Sequence, residues 1–248
     1  CIARHARFSY NTRVVELHNS GRQVKGVTLE DGTFLTADTV VFNGDPRALA
    51  TGMLGKDVTG VAPKTRRINR SLSAYVWGFD ARIDAPDLAH HNVFFSETPN
   101  SEFTDIENGK MPSDPTLYVC AQDRGKGKSP PDVDRFEIIL NAPPLSKRQP
   151  EPEDFDRCKA TTFDRLQSYG LNFQIDLQRE HLTMPQDFET LFPASDGSLY
   201  GQSPEGLMAT LKRPKCTTPI KNLFLVGGGV HPGAGVPMAT LCAPLAVE

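Results

Sequence analysis

The sequence predicts a mixed α/β fold, and three parts of the chain indicate it. Near the start, several β-type segments with alternating apolar residues are separated by tight-turn residues. In the middle, four further β-type segments are followed by an amphipathic helical stretch. Close to the end, a short apolar strand runs into a glycine-rich loop and the start of a helix.

Residues 1–45 are predicted to form a β-meander. The apolar run at residues 37–42 favours a strand buried in a core, and the turn-forming residues after it end that strand. A short helix is expected over residues 46–54. The other expected elements are strands at 8–17, 23–29 and near Thr33, with a hairpin turn at Glu30-Asp31-Gly32.

A polar, basic connection at residues 64–70 marks a predicted domain boundary before an antiparallel sheet. Proline and acidic residues at 150–154 predict the start of a helix that ends at Gly170 and packs on this sheet. A second helix or a turn is expected over residues 185–192. The four strands of the sheet are expected at residues 72–79, 91–96, 116–122 and 136–141.

The composition restricts the partners. The 27 basic and 30 acidic residues are interleaved and give a net charge of −3. The sequence therefore shows no extended positive region that would bind nucleic acid, and nucleic acid is not expected as a partner. The five cysteines are odd in number and widely spaced, so the sequence predicts neither disulfides nor a zinc site. Because no disulfides are expected, the sequence indicates a reducing, cytoplasmic compartment. The chain starts at Cys1 without a secretory signal, and we expect a segment to be missing before it.

Residues 222–240, NLFLVGGGVHPGAGVPMAT, carry the most informative pattern. Three glycines directly after an apolar strand allow a sharp turn and close approach of a ligand, and Pro237 suits the first turn of a helix. Free amides at that helix start would stabilise an anionic oxygen. No lysine follows the glycines, which excludes a nucleoside-triphosphate loop. The pattern alone also fits a tight turn without a ligand.

Two stretches, GSLYG at 197–201 and FLVGGGVHPGAGVPM at 224–238, resemble the closing segment of bacterial phytoene-desaturase-type enzymes. Three more are similar to the hydroxyneurosporene and methoxyneurosporene desaturases (1-hydroxycarotenoid 3,4-desaturases) of that family. They are DTVVFNGDP at 38–46, HHNVFFS at 90–96 and LYVCAQDR at 117–124. The resemblance covers nearly the whole chain in family order.

This resemblance implies part of a glutathione-reductase-type FAD/NAD(P)-binding domain, with an inserted antiparallel-sheet substrate domain. Residues 1–45 and 220–248 would belong to the FAD-binding domain, and residues 46–219 to the substrate domain. The G-x-G-x-x-G half of the FAD domain is expected before Cys1. Pro244 falls where the family's last helix continues, so we expect that helix to kink or stop early.

The resemblance implies FAD as the cofactor. Val14 matches the strand residue whose backbone meets the adenine ring, and the glycine loop matches residues at the ribityl chain and isoalloxazine ring. No catalytic side chain and no metal ligand is predicted. The implied cofactor-binding residues are Val14, Gly227, Gly228, Gly229, Val230, His231, Gly235, Val236, Pro237 and Met238.

The implied activity is FAD-dependent desaturation of an acyclic carotenoid, an apolar substrate, by hydride transfer to flavin. Aromatic residues of the middle segments could line a tunnel for it, with core packing as the alternative. Two alternatives to this function remain open. The chain could belong to another flavin oxidoreductase (a carotenoid isomerase, a retinol saturase relative or an amine oxidase), or it could be an inactive fragment. The candidate wall residues are Trp77, Phe79, Phe94, Phe95, Tyr118 and Phe136.

Several polar residues each allow two interpretations. His231 could contact the flavin or transfer a proton, or its backbone could orient the loop beside Pro232. His90 and His91 are expected at the surface, because the sequence shows no further metal ligands near them. Asp123 with Arg124 could be a proton acceptor and its orienting partner, or an exposed ion pair.

The basic cluster Arg66, Arg67 and Arg70 could contact anionic lipid, or it could lie in a solvated turn. The first interpretation would make the protein peripheral at the inner face of the cell membrane.

Overall fold

The computed structural model describes residues 6–85, 87–125, 127, 131–204 and 209–247. Contacts divide the chain into two compact units, the first formed by residues 1–69 with 200–248 and the second by residues 70–199. Helices and antiparallel sheets are both present, as the mixed α/β prediction requires. The assignment of residues 1–45 and 220–248 to a FAD-binding domain, and of 46–219 to a substrate domain, stays a prediction.

The first unit contains two small sheets. Its elements are β1 (Val14–Ser20), β2 (Gln23–Leu29), β3 (Phe34–Thr36), β4 (Val40–Phe42), α1 (Pro46–Ala50), β11 (Leu223–Leu225) and α5 (Val236–Val247), with 3-10 turns at Lys56–Val58, Pro63–Arg67 and Thr210–Lys212. The strands β1, β2 and β3 form an antiparallel meander, and β4 pairs in parallel with β11. The predicted three-stranded meander is therefore confirmed.

Three details of the first unit differ from the prediction. The strand predicted at residues 8–17 begins only at Val14. The apolar run at residues 37–42 is not a buried central strand, because β4 pairs with β11 alone among the described strands and Val41 is 59% exposed. The helix α1 ends at Ala50, since Gly52 and Gly55 take positive φ angles of 82° and 99° that helical residues do not adopt.

The last helix, α5, continues through Pro244 to Val247, so of the two expected outcomes the early stop is wrong, and a kink at Pro244 stays a prediction. Proline lacks the N–H that would bond to the carbonyl of Thr240, but one missing bond near the end of a helix leaves the other turns intact. Cys242 is buried, whereas Val236 and Leu241 are exposed. Among the described residues, no helix has the length and apolar character needed to cross a bilayer.

The second unit is built on one antiparallel sheet. Its elements are β5 (Ser73–Ile83), β6 (His91–Phe94), α2 (Pro99–Glu107), β7 (Leu117–Ala121), β8 (Asp134–Ala142), α3 (Asp154–Ser168), β9 (Phe173–Gln174), a 3-10 turn at Arg179–His181, β10 (Leu182–Thr183) and α4 (Pro185–Leu191). The sheet runs in the order β10-β5-β8-β7-β6, and β9 pairs with β5. All four predicted strands and both predicted helices are present.

The core of the second unit lies between the sheet and α3. Trp77 is fully buried there, and its ring centroid lies 5.6 Å from that of Phe155 and 5.3 Å from that of Phe163. Phe79 and Phe136 belong to the same cluster. Core packing, the alternative to a tunnel wall, is therefore what the structure supports for these three. Of the other candidate wall residues, Phe95 is 70% exposed, and Phe94 and Tyr118 are half-buried.

Two expectations for charged residues are wrong. Asp123 does not pair with Arg124: it binds Arg135 at 2.5 Å, while Arg124 binds the buried Asp134 at 2.7 Å. Arg70 is not part of a surface cluster, since it is 8% exposed and its Nε donates to the Ser195 carbonyl at 3.0 Å.

Candidate functional site

The glycine loop of residues 226–235 leaves β11 and leads into α5. The Val226 amide extends the parallel pairing by donating to the Phe42 carbonyl at 3.0 Å. The loop then turns, and the Gly227 amide donates to Cys242 Sγ on α5 at 3.0 Å. Strand β4 and helix α5 thus fix the start of the loop on two sides.

Two of the loop glycines are required, one by its backbone conformation and one by close packing. A Cβ on Gly227 would lie 2.3 Å from Asn43 Oδ1, and the φ angle of this residue is +102°. A Cβ on Gly229 would lie 2.7 Å from Pro46 Cδ, at the first turn of α1. The Asn43 side chain could rotate away, so Gly227 is required mainly by its φ angle, whereas a side chain on Gly229 would push the loop off the rigid Pro46 ring.

Adjacent glycines in this loop should respond differently to alanine. We expect Gly229→Ala to lower the free energy of unfolding by about 1–3 kcal/mol, because the added methyl overpacks against the rigid Pro46 ring. Gly228→Ala should cost less than about 0.5 kcal/mol, since its Cβ would meet Ala234 at an ordinary 3.4 Å. Urea unfolding of both variants checks this, and equal losses would contradict the packing described.

Arg213 organises the loop, and no sequence pattern indicated this role. The side chain is 8% exposed and donates to three carbonyls, those of Gly228 at 2.7 Å and of Tyr200 and Gln202 at 3.1 Å each. It therefore ties the glycine loop to Tyr200 in the GSLYG stretch and to Gln202 directly after that stretch. A single arginine between Lys212 and Pro214 belongs to no pattern that could have singled it out.

The backbone of His231 is held on both sides of the residue. Its amide donates to the Pro214 carbonyl at 2.8 Å, its carbonyl accepts from Cys216 Sγ at 3.4 Å, and the peptide bond to Pro232 is cis. The ring is half-buried. Burial raises the pKa of the Cys216 thiol, and nearby Cys242 adds to this, so the group donating to His231 stays protonated at neutral pH.

A cleft of about 590 Å³ opens beside the second half of the loop. In the described part of the chain, no protein acceptor meets the amides of Gly228, Gly229, Val236 and Met238. A Cβ on Gly235 would meet nothing within 4 Å. The cleft therefore combines open space with the start of a helix, where unpaired amides attract an anionic oxygen. Its lining residues are Tyr200, Pro204, Arg213, Pro232, Gly233, Ala234, Gly235 and Met238.

The structure brings only some of the predicted cofactor-binding residues to this cleft. Gly235 and Met238 line it, and Val236 and Pro237 are exposed at the start of α5. Val230 points the other way, since its side chain is fully buried in the core of the first unit. Val14 is half-buried at the start of β1 and does not line the cleft.

A second cavity of the first unit, about 800 Å³ in volume, is basic. Lys64, Arg66, Arg67 and Lys212 line it, together with apolar residues and backbone from residues 50–68. It shares no lining residue with the cleft at the glycine loop, and it has no run of glycines for close approach of a ligand.

Comparison with known proteins identifies the relatives of the chain. A hydroxyneurosporene desaturase from Cereibacter sphaeroides is 50% identical over 242 residues, which is 98% of this chain and 48% of the relative. One from Rhodobacter capsulatus is 45% identical over 237 residues, 96% of this chain and 48% of the relative. The chain is homologous to the hydroxyneurosporene desaturases. The resemblance drawn from the sequence motifs is confirmed, and the chain spans about half the length of the curated relatives it matches.

More distant relatives agree with this placement. A 4,4'-diaponeurosporene oxygenase from Staphylococcus aureus is 28% identical over 237 residues, 93% of this chain and 47% of the relative. A solved oxidoreductase from Methanosarcina mazei superposes with a TM-score of 0.51 at 14% identity, covering 96% of this chain and 49% of that one, which supports the fold. No family model matches the chain.

Proposed function

We propose that the chain is part of an FAD-dependent oxidoreductase that desaturates an acyclic carotenoid in carotenoid biosynthesis. The observation that carries this is the cleft at the glycine loop, found in a chain that is 50% identical to a hydroxyneurosporene desaturase. Hydroxylated or methoxylated acyclic carotenoids are the proposed substrate class. In this proposal, residues 1–45 and 220–248 are part of a FAD-binding domain, and residues 46–219 form a substrate domain.

The residues of the cleft fit a flavin. A planar ring system needs a surface without protruding side chains, and Gly233 and Gly235 provide it. The amides at the start of α5 suit the electron-rich oxygen of such a ring. The residues proposed to hold FAD are those predicted from the sequence, with Val14 at the adenine end and the backbone of the glycine loop at the ring.

When bound, the flavin supplies the hydride acceptor that protein side chains lack. The protein has to keep the loop rigid, bind the substrate and exclude water. Arg213 keeps the loop rigid by donating a hydrogen bond to the Gly228 carbonyl. In the second unit, the sheet face opposite α3 carries an apolar row across four strands, which suits a polyene chain. The row is Val76, Ile139, Tyr118 and Val93, aligned by the strand register.

Contact with a membrane surface is a further part of the proposal. The four cationic side chains of the basic cavity, Lys64, Arg66, Arg67 and Lys212, suit anionic lipid headgroups at the inner face of the cell membrane. A carotenoid is insoluble in water, so a peripheral position would give the protein access to it.

The test measures flavin and product with the complete gene product, expressed in a host that accumulates hydroxylated neurosporene. We expect a yellow protein with flavin absorption and a carotenoid whose absorption moves to longer wavelength as double bonds are added. Flavin without desaturation would favour another flavin oxidoreductase of the superfamily. A colourless protein that takes up no added FAD would overturn the proposal.

A matched pair of glycine variants makes the test specific to the cleft. Gly235→Leu should weaken FAD binding by about tenfold or more, a loss of about 1.4 kcal/mol, because its side chain enters the space beside the loop. Gly21→Leu is the control: its φ is also positive and its Cβ also meets nothing within 4 Å, but it lies in the β1–β2 turn. Equal affinities for FAD in the two variants would argue against this cleft.

A further inference from the structure

Three residues of the second unit bring metal-ligating atoms together. One such atom each from His90, His91 and Cys120 lies within 4.8 Å of the other two. His90 Nε2 is 3.8 Å from Cys120 Sγ, and the two imidazole centroids are 4.3 Å apart. In a tetrahedral zinc site, with Zn–S of about 2.3 Å and Zn–N of about 2.0 Å, sulfur and nitrogen ligands are separated by about 3.6 Å. The spacing of the cluster is close to that of a metal site.

The sheet register positions these residues. His91 on β6 lies directly opposite Cys120 on β7, and cross-strand partners project from the same face of a sheet. This is the face opposite α3, one row from the apolar residues described above. Glu137 on β8 is opposite Cys120 on its other side, so it belongs to the same row. Side chains that are thirty positions apart in the sequence thus become neighbours through strand pairing.

Hydrogen bonds orient both histidines as metal ligands require. His90 Nδ1 lies 2.9 Å from the Ala121 carbonyl. A carbonyl only accepts, so Nδ1 carries the hydrogen and the lone pair of Nε2 faces Cys120. His91 Nδ1 lies 2.7 Å from the hydroxyl of Tyr118, which can accept a hydrogen bond and leave Nε2 for a metal. Such second partners fix the tautomer and ring orientation of metal-bound histidines.

We propose that His90, His91 and Cys120 bind one borderline-soft metal ion of the Zn²⁺ type, with water in the fourth position. Imidazole and thiolate ligands select such ions, whereas Ca²⁺ and Mg²⁺ require oxygen ligands that the three residues do not provide. The proposal goes against the expectation, drawn from the sequence, of no metal site. It also goes beyond the proposed redox function, because none of the three residues lines the cleft at the glycine loop.

The bound ion would join two strands at one edge of the sheet. Among the described strands β6 pairs only with β7, and the ion would link the first residue of β6 to β7. Because the three ligands are assembled only in the folded chain, binding would stabilise the folded state.

The experiment is a titration of the apo full chain with Co²⁺, a spectroscopic substitute for Zn²⁺. We expect one equivalent to bind, with visible bands typical of tetrahedral cobalt and a thiolate-to-cobalt charge-transfer band in the near ultraviolet. Zn²⁺ should abolish both spectra and raise the unfolding temperature. Neither readout involves flavin, so failure here and failure of the proposed redox function are distinguishable.

Single variants test each ligand. His91→Ala changes an exposed side chain and should fold normally, yet weaken Co²⁺ binding by more than the roughly 10- to 100-fold typical of changes next to a metal ligand. Cys120→Ser should remove the charge-transfer band. Tyr118→Phe should weaken binding by about tenfold and keep the band, because the tyrosine only positions His91.

His181→Ala and Cys216→Ser are the matched controls, since both residues lie outside the cluster. They should leave Co²⁺ affinity and spectrum unchanged. The proposal is overturned if the wild type binds no Co²⁺, or if His91→Ala binds it as tightly and with the same spectrum as the wild type.

Discussion

Arg213→Met is expected to lower the free energy of unfolding of the first unit by about 3–5 kcal/mol. The buried guanidinium donates to the carbonyls of Gly228, Tyr200 and Gln202. Each buried carbonyl left without a donor costs about 1–3 kcal/mol, and partial relaxation keeps the total below the sum. Urea unfolding measures the loss. If FAD binds at the glycine loop, the same variant should also lose FAD affinity, because the loop is no longer held.

Two controls separate the hydrogen bonds from charge. Lys212→Met removes a positive charge at the adjacent, exposed position and should change stability by less than about 0.5 kcal/mol. Arg213→Lys keeps the charge, but lysine lacks the fixed fork of donors with which the guanidinium reaches three carbonyls. This variant should therefore be more stable than Arg213→Met but less stable than the wild type. The role assigned to Arg213 would be refuted by an Arg213→Met protein as stable as the wild type.

Arg124→Met is expected to destabilise the second unit by about 3–5 kcal/mol, since it leaves the carboxylate of Asp134 buried without a counter-ion. Arg124 binds Asp134 Oδ2 through Nε at 2.9 Å and through its terminal nitrogen at 2.7 Å, and it also donates to the Ala85 carbonyl. Asp134 Oδ1 has no hydrogen-bond partner among the described residues, so Oδ2 and the arginine carry the whole interaction.

The neighbouring ion pair provides the control for this variant. Arg135 is 59% exposed and binds Asp123, and exposed pairs contribute about 0–1 kcal/mol. Arg135→Met should therefore have a several-fold smaller effect than Arg124→Met in the same unfolding experiment. The double variant Arg124→Met/Asp134→Leu should recover stability, because it removes both charges together. Similar losses in Arg124→Met and Arg135→Met would contradict the difference in burial.

Regular periodicity made the second unit predictable. Alternation along β5 and β8 and the helical spacing of α3 result from burial of one face, so they can be read from the sequence. The helix α2 was missed. Its two buried residues are Ile106 and Glu102, and this carboxylate accepts from the Thr116 amide and from Asn141. A helix held by a buried charge lacks the apolar stripe on which prediction depends.

Contacts between distant segments could not be predicted from the sequence. The run of glycines predicted the turn, but not that Arg213 holds it. The acceptors of Arg213 are three backbone carbonyls, and since every residue has a carbonyl, residue types do not reveal them. The partners of Asp123 and Arg124 were predicted wrongly because these residues are adjacent in sequence but bind different residues of β8. The cluster of His90, His91 and Cys120 likewise depends on the register of β6 against β7.

The parallel pairing of β4 with β11 has a consequence for the order of folding during synthesis. Residue 40 finds its partner only when residue 223 has left the ribosome, whereas all strands of the second unit are contained in residues 70–199. Segments with contiguous contacts fold as soon as they emerge, and long-range pairings form later. The second unit is therefore expected to fold on the nascent chain, while the glycine loop becomes structured only after residue 223 has emerged.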